Sequence, residues 1–211
     1  MVFLSVHWSA ALICVKQLKA LPEKGVRLMD SPFTPQPILD FWFADDHQPY
    51  WFTRDRGFDT QVRDRFGELY LAAREGKLEN WQHAPRSALA LILALDQFPR
   101  NMFRNSPQAF ATDAQALAVA RHAVELGYDQ QLPPAHLQFL YMPFMHSEAL
   151  ADQERGVQLY STLDNAEAYD YMVQHRDIIA RFGRFPHRNA VLGRESTAEE
   201  AFFLTQPGSS F

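Results

Sequence analysis

Residues 87–97 read SALALILALDQ, and this stretch decides the fold class. Ala88, Leu89, Leu91, Ile92, Leu93 and Leu95 leave no polar face before Asp96, so the segment predicts a central, buried helix. Pro99 is its expected stop, because the residue ahead of a proline avoids helical angles. Toward the N-terminus, Phe58, Val62, Phe66, Leu69, Tyr70 and Ala73 recur at three- and four-residue steps, with Gly76 placed to cap the helix they imply. Thr34-Pro35 starts a shorter helix through Ile38, Leu39, Phe41, Trp42 and Phe43. Aromatics at such steps usually bury, so Trp42, Phe43, Trp51 and Phe52 are read as core ahead of an interaction surface.

Toward the C-terminus the pattern continues. Thr112 or Asp113 caps an alanine-rich helix through Ala116, Leu117, Ala120 and Val124, ended by Gly127. Pro133-Pro134 opens the next, and Pro143 falls inside its apolar pattern, where a proline kinks or breaks a helix. Ser147 is placed to cap a helix after that break, and residues 148–163 continue as helix. Asn165 caps another that Gly183 closes. Ser196-Thr197-Ala198-Glu199 matches a capping box ahead of Phe202, Phe203 and Leu204. No stretch alternates with a period of two, so the expected class is all-α. The expected organisation is an N-terminal extension over residues 1–28, one helical domain over 29–205 and a tail over 206–211. Met29 reads as a natural start; the other reading of the extension is an amphipathic surface anchor.

Composition narrows the function. A net charge of -5 argues against nucleic acid, which wants a basic stripe to neutralise phosphates. The apolar run over residues 2–15 is too short and too polar for a span of roughly 20 apolar residues, and its lysines follow it, so neither a membrane protein nor a signal peptide is expected. A single cysteine, Cys14, excludes an internal disulfide and fits a reducing, cytoplasmic setting.

Charge reverses locally in RDIIARFGRFPHRNAVLGRESTAEE, residues 176–200. Arg176, Arg181, Arg184, Arg188 and Arg194 surround His187 and interleave with Ile178, Ile179, Phe182, Phe185, Val191 and Leu192. Guanidinium groups held against apolar surface need anions nearby, from the protein or from a ligand. The segment also holds an echo: Phe98-Pro99-Arg100-Asn101 returns, with one residue inserted, as Phe185-Pro186-His187-Arg188-Asn189. Either both are helix stops with a cation at the negative helix end, or both present arginines to one site.

Those blocks carry a family resemblance. Residues 96–101 with Arg104, then 141–148, 181–189 and 192–197 resemble, in order, the signature blocks of an uncharacterised bacterial family, domain-of-unknown-function family nine-two-four. The resemblance covers about Pro37 to Leu204. It implies stacked antiparallel helix pairs like a tetratricopeptide-repeat solenoid, and it implies no known reaction. The sequence lacks the clean period of about 34 residues of a true tetratricopeptide array.

The candidate ligand-binding residues are Arg100, Arg104, Arg181, Arg184, Arg188, Asn189 and Arg194, since arginine forks match carboxylate and phosphate. The helix start at Ser196 adds backbone N–H groups that suit an anion. The structural alternative pairs Arg181, Arg184 and Arg188 with Asp96, Glu148 and Asp177, and Asp177 lies one turn from Arg181. His187, His146 and Glu148 are the candidate acid–base groups. His146, Glu148, His175 and His187 do not form a HExxH pattern, so no metal is expected. There is no P-loop, Rossmann turn or nucleophile elbow, and no cofactor is expected. Two functions follow: binding of a small anionic molecule in an Arg/His pocket, with enzymatic activity open, or a scaffold that binds a peptide in a helical groove.

Overall fold

The computed structural model describes residues 32–209. The expected extension over residues 1–28, the start at Met29 and the last two residues of the tail lie outside them. The described residues contain helices and no strand. No helix among them is long and apolar enough to cross a membrane.

The buried centre is α3, Pro85–Ile92, which starts on a proline whose missing N–H costs nothing there. From Ala88 to Leu95 no side chain is more than 4 % exposed. The expected stop before Pro99 does not occur. The helix widens into a π-helical turn at Leu93–Gln97 and resumes as α4, Phe98–Met102, with Pro99 in the first turn. Pro99 cannot donate to the Leu95 carbonyl, and Thr112 Oγ1 donates to it instead. That bond takes Thr112 away from capping, so α5 (Asp113–Glu125) begins without a side-chain cap.

The other helices follow their local signals with small shifts. Around the centre, α1 (Gln36–Trp42) packs on α3, and α2 (Arg56–Arg74) packs on α4. Asp55 caps α2, and Gly76 takes the positive φ of 77° just past its end. In α6 (Pro134–His146) Pro143 sits inside the helix without ending it. α7 (Leu150–Tyr160) has Ala149 at its N-cap rather than Ser147, whose hydroxyl donates to Asp152 at 2.7 Å. α8 (Ala166–Phe182) runs from Asn165, which accepts from Ala168 N, to Gly183. At α9 (Ala198–Phe203) the capping box is Thr197 with Glu200, one residue later than the sequence pattern placed it. α3 packs on α5 and α6, and α5 packs on α6, α6 on α7 and α7 on α8. Trp42 and Phe98 are fully buried in this core, whereas Phe52 is 69 % exposed.

Candidate functional site

The two Phe-Pro turns converge on one carboxylate. Phe98 and Phe185 are both fully buried; Phe98 opens α4, with Pro99 next in its first turn, and Phe185 precedes a 3-10 turn that begins at Pro186. Arg100 donates two hydrogen bonds to Asp113, Nη1 to Oδ1 at 2.8 Å and Nη2 to Oδ2 at 2.9 Å. Arg188 reaches the same Oδ2 with Nη1 at 3.3 Å. The echo in the sequence is thus a real correspondence in space.

From Asp113 the contacts run in a closed circuit. Arg100 Nη1 lies 3.4 Å from Asp96 Oδ1, and Asp96 Oδ1 lies 2.7 Å from His146 Nδ1. The His146 ring stands 6.5 Å from that of His175, and His175 meets the Phe185 ring edge-on at 5.6 Å. The Phe185 face carries the Arg188 guanidinium at 4.5 Å, and Phe110 covers it on another side at 4.6 Å. His187 adds a second imidazole 5.5 Å from Phe185. Local structure positions each member. The π-helical turn carries Asp96, and π-turns recur at functional sites. His146 ends α6, and His175 lies in the middle of α8.

Charge in the circuit is nearly balanced. Asp96 is fully buried, which opposes ionisation, but Arg100 and His146 outweigh that and hold its carboxyl well below the usual range. Burial and then Arg100 push His146 down, and burial takes His175 to about 3 and His187 to about 4. His175 and His187 are therefore neutral at pH 7. Because the Asp96 carboxylate only accepts, His146 donates to it from Nδ1.

Arg188 is the least satisfied of the candidate arginines. Its side chain is 8 % exposed, its ion pair with Asp113 is long at 3.3 Å, and its Nε is buried with no hydrogen-bond partner among the described residues. Burial first, then repulsion from Arg100, lowers it to about 10. The other arginines are tied elsewhere. Arg194 grips Glu148 with two bonds of 2.7 and 2.9 Å, and Glu148 also accepts from Phe185 N. Arg104 grips Asp59 on α2 at 2.6 and 2.7 Å. Arg184 grips Glu200, and Arg181 pairs with Glu199. Asn189 donates to Ser196 Oγ at 3.0 Å. The sequence pairing of Arg181 with Asp177 gives way, since Asp177 bonds Arg176. Asp96, Glu148 and Asp177 are likewise not the partners of Arg181 and Arg184. The α9 start is closed by its own capping box. No group of three His, Cys, Asp or Glu among the described residues is arranged for a metal.

Sequence reasoning missed Asp113, Phe110 and Gln97. Asp113 read only as a possible helix cap, yet it joins partners 13 and 75 positions away. Gln97, whose amide donates to Asp96, had no signal of its own.

Fold and site together define an all-helical protein with a buried arginine, carboxylate and histidine circuit between helix ends. The chain belongs to the family described as "Bacterial protein of unknown function (DUF924)", which it matches over residues 38–208. It is similar to a solved protein of unknown function from Agrobacterium tumefaciens, at 41 % identity and a TM-score of 0.77, covering 81 % of this chain and 96 % of that one. No curated protein matches it.

Proposed function

We propose that the circuit of Asp96, Arg100, Asp113, Arg188, Phe185, His175 and His146 binds a small anion, with His146 and His187 as the groups able to exchange a proton. One observation carries this reading. Arg188 is buried between two phenyl rings with a single long ion pair, an arrangement that is a poor source of stability unless something else uses the charge. A cluster of perturbed titrating groups points the same way. Within this reading Glu148 and Arg194 hold the Phe185 turn in place, and Asn189 does so from the Ser196 side. Arg104, Arg181 and Arg184 fasten helices together. The fold we infer is a tetratricopeptide-like stack, supported by the packing of α5 to α8 in order. The single cysteine of the sequence supports a cytoplasmic ligand.

Thermal unfolding against a panel of monoanions and dianions tests the proposal. The expected result is stabilisation by a monoanion that disappears in Arg188→Met and persists in Arg104→Met. If no anion stabilises the natural chain, the pocket reading falls and the interaction scaffold takes its place.

A further inference from the structure

Away from the circuit, α1 and α2 line a hollow of about 520 Å³, within the range of roughly 300–1,000 Å³ usual for small-ligand sites. Pro37, Asp40 and Phe41 enter it from α1, His47 from the chain that follows, and Arg65 and Phe66 from α2. Its floor is aromatic. The rings of Phe41 and Phe66 meet edge to face at 5.2 Å, and each residue is only 5 % exposed. His47 is fastened to that floor, with Nδ1 2.6 Å from the Phe41 carbonyl oxygen and its ring 4.3 Å from the Phe41 ring.

Two charges of opposite sign stand at this floor without meeting. Arg65 holds its guanidinium carbon 5.1 Å from the centre of the Phe41 ring. Asp40 accepts one hydrogen bond, from the neutral amide of Gln36 to Oδ1 at 2.6 Å. Among the described residues neither side chain belongs to an ion pair, although both line the same hollow. An occupant with one charge of each sign matches both groups, whereas an occupant with a single charge meets one attraction and one like-charge repulsion. We propose that the hollow binds a zwitterionic α-amino acid with an apolar side chain, its ammonium on Asp40, its carboxylate on Arg65 and its side chain against Phe41 and Phe66. The guanidinium fork suits a carboxylate while it stays stacked on a ring. The Asp40 carboxylate only accepts, so it selects a donor such as an ammonium group. The aromatic floor favours a leucine-sized side chain over a hydrogen atom, because only the larger group removes apolar surface from water. The hollow shares no residue with the circuit, so the two sites are tested separately.

Leucine, leucinamide, 4-methylpentanoate and glycine separate these contacts: leucinamide lacks the carboxylate, 4-methylpentanoate lacks the ammonium, and glycine lacks the side chain. Proton–nitrogen NMR of the natural chain reads binding at the backbone amides of residues 38–47 and at the Arg65 Nε–H. Leucine should shift these signals in a saturable way and bind on the order of tenfold tighter than each of the other three, the worth of about one hydrogen bond to a charged group. Asp40 and Arg65 are both exposed, so their substitution leaves the core intact. Arg65→Met should bind leucine no better than leucinamide, and Asp40→Asn should bind leucine no better than 4-methylpentanoate. Leucine that binds no better than leucinamide or 4-methylpentanoate on the natural chain overturns the proposal. So do leucine shifts confined to residues outside this hollow, and the absence of any saturable shift with leucine.

Discussion

Replacing Arg188 with Met, a side chain of similar length without charge, separates function from stability. In the folded chain the guanidinium is nearly buried, with an ion pair at 3.3 Å and an unpartnered Nε. An unmet buried donor costs about 1–3 kcal/mol. Against this stand two ring contacts at 4.5 and 4.6 Å, each worth about 2 kcal/mol when desolvated. Asp113 keeps its two bonds to Arg100 after the change, so no carboxylate is stranded. The change should therefore cost about 1–3 kcal/mol, each kcal/mol being about 2–4 °C in Tm for a chain of this size. Arg100→Met is the contrast. It strips Asp113 of both strong bonds and the fully buried Asp96 of its nearest guanidinium, and should cost about 3–5 kcal/mol. Urea unfolding followed by tryptophan fluorescence compares the two variants directly. A loss above about 3 kcal/mol in Arg188→Met would show that the arginine is structural cement, and the reasoning would fail.

Three further outcomes follow from the same geometry. Gly156→Ala places a Cβ 2.7 Å from Met172 Sδ and 3.3 Å from Phe144 Cβ, so it should cost about 1–3 kcal/mol in the same urea assay; an unchanged midpoint would mean α7 and α8 have room to part. Thr197→Ala removes one half of the α9 capping box and should cost about 1 kcal/mol, measured by thermal unfolding, with Thr197→Gly or a Ser replacement milder; a silent alanine variant would mean the Glu200 bonds hold α9 alone. His175 and His187 have folded values of about 3 and about 4, below their ordinary 6.5, so the unfolded chain takes up protons first. Their contribution is present above pH 6.5 and is lost as pH falls toward those values; the urea midpoint should therefore drop between pH 7 and 5, ahead of the carboxylates, and a flat profile there would contradict the buried neutral imidazoles.

The fold was legible because its signals are local. The apolar run at 87–97, the stripe from Phe58 to Ala73, the asparagine at 165 and the glycines at 76 and 183 each act within one or two turns, and each is found near the predicted place. What failed was set by distant partners. Pro99 reads as a stop because the sequence does not show Thr112 arriving to take the freed carbonyl. Thr112 reads as a cap for the same reason. The capping box slips from Ser196 to Thr197 because Asn189, in the preceding turn, takes the Ser196 hydroxyl. At the site the sequence marked the arginines and histidines, and the Phe-Pro echo pointed to their meeting. It did not reveal which acid each arginine holds, because Arg181 with Glu199 and Arg194 with Glu148 span loops and helices with no fixed spacing.

Nitrogen-15 NMR of arginine-labelled protein, titrated with acetate as a small monoanion, asks most directly whether Arg188 receives a ligand. The Nε–H of Arg188 should shift in a saturable way while those of Arg104 and Arg181, already bound to Asp59 and Glu199, stay in place. Arginine resonances that all hold still, or that all drift together in proportion to added anion, would contradict a ligand site in the circuit.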